Sequence, residues 1–531
     1  MIPLSPKRTQ TMMAIHGWAG IPLALLLYVV LVTGMMAVFS KEIGDWSSPW
    51  LGDAPLALES GTNRSLIAAA ATVDPRFHEA VAVYTVAGGR LWALFHRHDV
   101  APDGFVFAHG VGFEFDRRDG SIVDRIEGTE DDINRAHETR GLSKFLVDLH
   151  VSLHIPFPWG MLLTGAIGLA LLVLTISGLL VHRFLIRDLF TVRRRVPKLL
   201  SRDLHAVAGS WNLPFAVLLA FTGSYLSLFV PLGQPVIAEF GYGGDQTPMF
   251  ELFEGATIAE DATPAPMSDI DAMTQDARSR SDTLPERVDI LHWGRKDAAV
   301  LVSMLPDERG LRPARYVYSG ATGAFVAQRP GLGKAPSIGG AANEFVGGLH
   351  FGRFAGVASK AIWFSLAFCL AYVTLSGLLL WAQRRQDTAL WRRFGLVTMW
   401  VGYGLPVALA SIALAYFLAR AADVATYGWM LAAYCGAAAL AALVCWMTRD
   451  PRRVLLAATG LMLAALPLVR WLSGGPSWPQ LAGRGGDGTV LAVDLALLFG
   501  AAYALRASRR TLETPAPADS ASTADASAAS G

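Results

Sequence analysis

Residues 159–182 read WGMLLTGAIGLALLVLTISGLLVH, a run with no lysine, arginine, aspartate or glutamate. A helix needs about 20 apolar residues to cross the roughly 30 Å hydrocarbon core of a bilayer, so this stretch predicts a membrane span. Seven other stretches have the same character. The sequence therefore predicts a polytopic α-helical membrane protein with about eight spans, at residues 14–39, 159–182, 204–231, 360–383, 398–420, 425–447, 453–473 and 489–507.

The composition agrees with this class. Of the 531 residues, 53% are hydrophobic and 17% are charged, whereas soluble domains have about 45–50% and about 25%. The net charge of +1 gives no excess of basic residues for a nucleic-acid partner. The three cysteines (Cys369, Cys435 and Cys445) all lie in apolar runs, which excludes a disulfide scaffold, and no C-x-x-C-H motif for covalent haem is present.

Basic residues cluster between spans two and three, between four and five, between six and seven, and after span eight. Because short cytoplasmic loops are enriched in Lys and Arg, both termini are predicted to be cytoplasmic in a bacterial inner membrane. The Pro/Ala/Ser-rich tail is expected to be disordered. The predicted organisation is 1–39 (N-terminus and span 1), 40–158 (periplasmic domain 1), 159–231 (spans 2 and 3 with a basic loop), 232–359 (periplasmic domain 2), 360–383 (span 4), 384–507 (spans 5–8) and 508–531 (tail).

The first 385 residues or so contain an internal duplication. A histidine opens spans one and three, and a Thr-Gly pair follows with its threonine 17 residues later in both copies (positions 16 and 33, 205 and 222). Spans two and four both end in T-x-S-G-L-L, and a Leu-His pair precedes each of them. These small-residue pairs favour close helix packing. The matched residues are His16/His205, Thr33-Gly34/Thr222-Gly223, Leu149-His150/Leu349-His350 and Ser177-Gly178/Ser376-Gly377.

The two outside segments are also alike. Each has a helix-like run, at 66–72 and 269–277, followed by strand-like alternation. Each closes with apolar alternation around a glycine-containing turn, at 112–123 and 315–326, which predicts a β-hairpin. A pair of α+β domains is expected.

These features together resemble the PepSY-associated transmembrane proteins. The resemblance rests on the H-x-x-x-G and Leu-His span starts and on hairpins that end in a turn like Y-V-D-x-x-T-G, and it covers about residues 8–385. Better-known members of that family are inner-membrane ferric-siderophore reductases that carry b-type haem. The resemblance therefore implies two PepSY-like periplasmic domains and a four-helix haem-binding bundle. Spans five to eight lie outside the pattern, and no role is transferred to them.

The repeat histidines fall into two pairs by depth. His16 and His205 open spans one and three at the cytoplasmic end, whereas His150 and His350 precede spans two and four at the outer end. Histidine in or against a bilayer is costly unless it is paired or liganded, and two imidazoles can hold one haem iron from both sides. We expect two b haems with these four residues as ligands of the haem iron. Second choices are His154, one helical turn after His150, and His182.

The other histidines lie in the outside domains. His96 and His98 alternate on a strand-like run, so their side chains are expected to point the same way; a solvated strand face is favoured there over a metal site. No catalytic triad, phosphate-binding loop, dinucleotide fingerprint or zinc-protease motif is present in a fitting context, and no catalytic acid or base is predicted.

Three functions compete. The first is a reductase that passes electrons from an unknown donor across the membrane to a ferric siderophore in the periplasm, for iron uptake. The second is a non-enzymatic scaffold or regulator that binds a periplasmic partner. The third is a transporter formed by spans five to eight. The third is disfavoured because those spans hold few ionisable residues, namely Arg420, Asp423 and Asp494.

Overall fold

The computed structural model describes residues 5–47, 61–85, 90–100, 106–116, 119–129, 132–133, 141–181, 189–193, 197–246, 248–249, 258–305, 314–483 and 488–509. Within these ranges the chain is mostly helical. The helices are α1 (Pro6–Gly20), α2 (Ala24–Ala37), α3 (Ser40–Ser47), α4 (Thr62–Ala70), α5 (Leu142–Val151), α6 (Trp159–Val181), α7 (Pro197–Trp211), α8 (Leu213–Leu228), α9 (Gln234–Tyr242), α10 (Ile270–Ser279), α11 (Ile338–Phe351), α12 (Gly356–Gln383), α13 (Ala389–Ala421), α14 (Thr426–Met447), α15 (Pro451–Leu472), α16 (Trp478–Gly483) and α17 (Thr489–Ser508).

Seven helical stretches in the described ranges are long and apolar enough to cross a membrane, and an eighth is obtained if α1 and α2 form one span. The multi-pass prediction is therefore confirmed. The first span is not continuous, because α1 and α2 meet at an angle of 66°. Pro22 lies at this break; proline lacks the N–H of a helical hydrogen bond and its ring clashes with the preceding turn.

The third span also differs from the prediction of residues 204–231. Pro214 follows a break between α7 and α8, and the apolar helical stretch runs from Leu213 to Tyr242, including a π turn at Phe229–Gly233. Asn212 is buried at this break, and its side-chain Nδ2 donates a hydrogen bond of 2.7 Å to the carbonyl of Leu366. His205 therefore lies on a separate helix ahead of the span.

The two outside segments share one antiparallel sheet of eight strands, in the order β4-β3-β2-β1-β5-β6-β7-β8. The central pair joins the first segment to the second, with Ala80 opposite Leu291 and Tyr84 opposite Arg287. The two domains expected from the sequence are thus joined in one sheet, which we call the sheet unit. The strands are β1 (Ala80–Thr85), β2 (Leu91–Val100), β3 (Val106–Phe115), β4 (Ile122–Thr129), β5 (Pro285–Leu291), β6 (Ala299–Met304), β7 (Arg315–Ser319) and β8 (Phe325–Arg329).

Helices α4 and α10 lie against one face of this sheet, where alternate strand residues form a continuous apolar core across both segments. Asp271 of α10 accepts hydrogen bonds from the backbone of Gly61, Thr62 and Asn63 and so caps the start of α4. Both expected helices and both expected hairpins, β3–β4 and β7–β8, are confirmed.

The four C-terminal spans pack beside the first. Tyr28 of α2 donates to the carbonyl of Gly402 in α13, at 2.9 Å. Arg470 of α15 and Asp494 of α17 form a buried ion pair at 2.8 Å, and Asp494 also accepts from the indole of Trp46 in α3. Arg470 lies inside the predicted span 453–473 and adds one ionisable residue to the three named from the sequence. Its charge is neutralised within the fold.

Candidate functional site

The four repeat histidines are held by the helices of the first four spans. Each lies on a shorter helix that packs against one of these long helices: α1 against α6, α7 against α12, α5 against α2, and α11 against α8. The arrangement repeats between the two sequence copies. It brings the histidines together as two pairs, which we name the sheet-side pair (His150 and His350) and the cavity pair (His16 and His205).

The two imidazole rings of the sheet-side pair lie close together. The ring centres of His150 and His350 lie 6.3 Å apart, and their planes are inclined by 26°. A metal binds an imidazole nitrogen at about 2 Å, so two imidazoles on opposite sides of one metal, each with about 1.1 Å from nitrogen to ring centre, have centres about 6 Å apart. The observed spacing of 6.3 Å is compatible with two ligands of one metal ion.

The cavity pair lies at the other end of the same helices. His16 and His205 both line a cavity of about 1190 Å³, above the 300–1,000 Å³ range usual for small-ligand sites. On α6, Thr164 contacts the helix end next to His150, whereas Gly178 contacts His16. At 1.5 Å per residue this places the two pairs about 20 Å apart along the helix.

Hydrogen bonds fix the tautomer of three of the histidines. Nδ1 of His16 donates to the carbonyl of Leu174 at 3.0 Å, and Nδ1 of His205 to that of Val373 at 3.0 Å. Nδ1 of His150 donates to a carbonyl of α2 at 2.8 Å. Because a carbonyl can only accept, the hydrogen is on Nδ1 and Nε2 keeps its lone pair. This is the usual orientation of a metal-binding histidine.

The fourth histidine has a different partner. Nδ1 of His350 lies 2.9 Å from Oγ1 of Thr222. The hydroxyl of Thr222 already donates to the carbonyl of Leu218, at 2.7 Å, so it accepts from His350. Within the described part of the chain, Nε2 of all four repeat histidines makes no hydrogen bond, which leaves four nitrogen lone pairs for a ligand.

A glycine lies against each imidazole. A Cβ added to any of them would come within 3.2 Å of the Cε1 atom of the histidine, which is closer than ordinary contact. The Ser-Gly and Thr-Gly repeats, which the sequence indicates as helix-packing pairs, therefore make room for the histidines. The pairs are Gly34 with His150 (2.9 Å), Gly178 with His16 (3.1 Å), Gly223 with His350 (3.2 Å) and Gly377 with His205 (2.9 Å).

Four arginines are among the residues that line the cavity. Arg193, Arg202, Arg384 and Arg385 all line it. Arg193 also donates to both carboxylate oxygens of Asp203, which lowers the pKa of Asp203 to about 2. In the sequence, these basic residues indicate only the orientation in the membrane. Their position at one cavity identifies a site that favours a ligand with carboxylates, which guanidinium groups bind in a bidentate manner.

His154, one of the two second-choice histidines, does not join the sheet-side pair. Helix α5 ends at Val151, and His154 follows in a left-handed conformation with φ 56°. It therefore does not share a helix face with His150, and that prediction is wrong. Its ring packs against Phe145 and Tyr427, with centroids 4.1 and 5.8 Å away. His182 lies outside the described residues.

The strand histidines face the same way, as predicted, with ring centres 5.2 Å apart. Nδ1 of His98 lies 2.9 Å from a carboxylate oxygen of Glu79. Across the described ranges, no group of three or more His, Cys, Asp or Glu residues is placed to hold a bare metal ion.

The fold and the site define a multi-pass membrane protein with an antiparallel sheet unit between its spans and paired histidines among its helices. The family model described as "PepSY-associated TM region" matches residues 13–384. This match covers more than half of the chain, so the protein belongs to that family, and the resemblance inferred from the sequence is confirmed.

One relative is an uncharacterized protein, PA4219, of Pseudomonas aeruginosa. It is 31% identical to this chain over 254 residues, which is 45% of this chain and 63% of the relative. The chain thus spans less than two thirds of that relative's length.

Proposed function

We propose that the chain binds two b-type haems through its four repeat histidines and passes electrons across the inner membrane to a ferric siderophore in the periplasm. The observation that carries the proposal is the sheet-side pair, whose ring centres are 6.3 Å apart. Membership in the PepSY-associated family supports it as well.

The imidazole donors at both pairs fit a haem iron. Nδ1 of each histidine is engaged, so Nε2 is the nitrogen that would bind iron. At the cavity pair the volume of about 1190 Å³ is large enough for a macrocycle. Arg384 and Arg385 are suited to bind the propionate carboxylates. Bis-histidine ligation would leave no open position on the iron, which suits electron transfer better than oxygen chemistry.

Haem iron held by two imidazoles supplies reversible one-electron transfer. The protein's part is to hold the ligands rigidly and exclude water. His16 and His205 are held by main-chain carbonyls in the interior of α6 and α12. The two pairs are stacked along the bundle, about 20 Å apart along the helix, so one electron path would cross the hydrocarbon layer.

The membrane orientation follows from charge. Arg193, Arg202, Arg384 and Arg385 all lie at the cavity pair, and the positive-inside rule assigns that end to the cytoplasm. The sheet unit would then be periplasmic and would provide the docking surface for the ferric siderophore. One electron reduces Fe(III) to Fe(II), which hard oxygen ligands hold less strongly, so the metal is released.

Proteoliposomes test this function. The protein is reconstituted in vesicles that contain trapped dithionite; a ferric hydroxamate and the Fe(II)-specific chelator ferrozine are added outside. We expect coloured Fe(II)–ferrozine to form with the wild-type protein, and His205→Ala and His350→Ala each to abolish it. His154→Ala serves as the matched control and is expected to keep the activity. Equal rates for His205→Ala, wild type and protein-free vesicles would contradict the proposal.

A further inference from the structure

The hydrogen-bond partners of the four histidines differ in one respect. At the cavity pair, each Nδ1–H has a main-chain carbonyl and also a serine hydroxyl as acceptor: Ser177 lies 3.2 Å from His16, and Ser376 lies 3.1 Å from His205. At the sheet-side pair, His150 has one carbonyl as its acceptor. Among the described residues, His350 has only the hydroxyl of Thr222.

The matched threonine of the first copy explains the difference. Thr33 keeps its hydroxyl within α2, where it donates to the carbonyls of Val29 and Val30 at 2.8 and 3.2 Å. The carbonyl of Val30 then also accepts directly from His150. In the second copy the hydroxyl of Thr222 lies between the imidazole of His350 and the carbonyl of Leu218.

The acceptor at Nδ1 controls the electron density at Nε2. A strong acceptor gives the imidazole more imidazolate character, which stabilises ferric iron and lowers its reduction potential. A hydroxyl is a weaker acceptor than a main-chain carbonyl. At the cavity pair, Arg193 is paired with Asp203, and Arg384 and Arg385 would be paired with the propionate carboxylates of the bound haem.

We infer that Thr222 tunes His350 so that the sheet-side pair holds the higher-potential haem of the two. Electrons would then run downhill from the cavity pair to the sheet-side pair, from the cytoplasm to the periplasm. The inference rests on the proposed function and adds a direction to it. Thr222 acts here as a positioning residue, through His350.

An optical redox titration tests the inference without any siderophore. The α-band of the purified protein is followed against potential, and two one-electron waves are expected. His350→Ala should remove or alter the higher wave, and His205→Ala the lower one. Thr222→Val deletes the acceptor and should raise the higher wave only, by an amount equal to about tenfold in the ferrous-to-ferric ratio, which is 59 mV for one electron.

Two variants separate tuning from structural damage. Thr222→Ser keeps the hydroxyl and should restore the wild-type potential. Thr459→Val deletes a buried hydroxyl of α15 that donates within its own helix, to the carbonyl of Leu455, and should leave both waves unchanged. If Thr222→Val still binds both haems and its higher wave is unshifted, the inference is overturned. Loss of the lower wave in His350→Ala would overturn it as well. Protein without any haem would overturn the proposed function as well.

Discussion

A glycine lies against each repeat histidine, so a larger residue there is expected to displace the imidazole. Gly377→Ala tests this most directly. The new Cβ would lie 2.9 Å from Cε1 of His205, whereas carbon atoms in contact stand about 3.5–4.0 Å apart. The imidazole must therefore move by about 0.6 Å or more. Its hydrogen bond to the carbonyl of Val373 is 3.0 Å long and would lengthen to about 3.6 Å, beyond the hydrogen-bond range. Loss of such an orienting partner costs about 10–100-fold in metal affinity.

The assay is a haem titration of the apoprotein, followed by the absorption of the bound form. We expect Gly377→Ala to weaken one of two binding events by that factor and to leave the other intact. Gly436→Ala is the control: it also changes glycine to alanine within a span, with the same gain in helix propensity of about 1 kcal/mol, but no atom lies within 4 Å of its new Cβ. Unchanged affinity for both haems in Gly377→Ala would refute the reasoning.

Two further predictions concern stability. Asp494→Asn leaves the buried Arg470 without its counter-charge and should lower the free energy of unfolding by about 3–5 kcal/mol, seen as a lower Tm in detergent. Asp423→Asn, at an exposed position, should leave the Tm unchanged. Burial, with the nearby His98, lowers the pKa of His96 from 6.5 to about 4. The unfolded chain therefore takes up a proton first as the pH falls. The free energy of unfolding of the sheet unit should therefore fall by up to about 3 kcal/mol between pH 6.5 and pH 4. Denaturant titration measures this change, and His96→Gln should remove it.

The spans and their number could be predicted because a bilayer imposes one length and one composition on every crossing helix. The bend at Pro22 could also have been predicted, since proline in a helix interior breaks the hydrogen-bond ladder. The break ahead of the third span involves the hydrogen bond of Asn212 to the carbonyl of Leu366, which hydropathy does not describe.

The joining of the two outside segments in one sheet was not predictable from periodicity. Alternation of apolar residues shows that a strand has a buried face, but it does not identify the neighbouring strand. The pairing of Ala80 with Leu291 connects residues more than 200 positions apart. Internal duplication was the one available signal, because similar units can pair through equivalent edges.

The four histidines of the site could be found from the duplication, since their matched positions in the two copies distinguish them from the other eight histidines of the chain. Their hydrogen-bond partners could not. The carbonyl that accepts from His16 belongs to Leu174, whose side chain carries no chemical signal. The Ser-Gly and Thr-Gly repeats were visible in the sequence, but only the contacts show that their glycines make room for an imidazole.

The most direct test of the central claim is the haem content of the purified full-length protein. The protein is produced with haem supplied, and its absorption is recorded oxidised and dithionite-reduced, with a pyridine haemochrome assay to count b-type haem. The account predicts a sharp reduced α-band and about two haems per chain, one for each histidine pair. A colourless protein would contradict it and would leave the non-enzymatic scaffold as the function to test next.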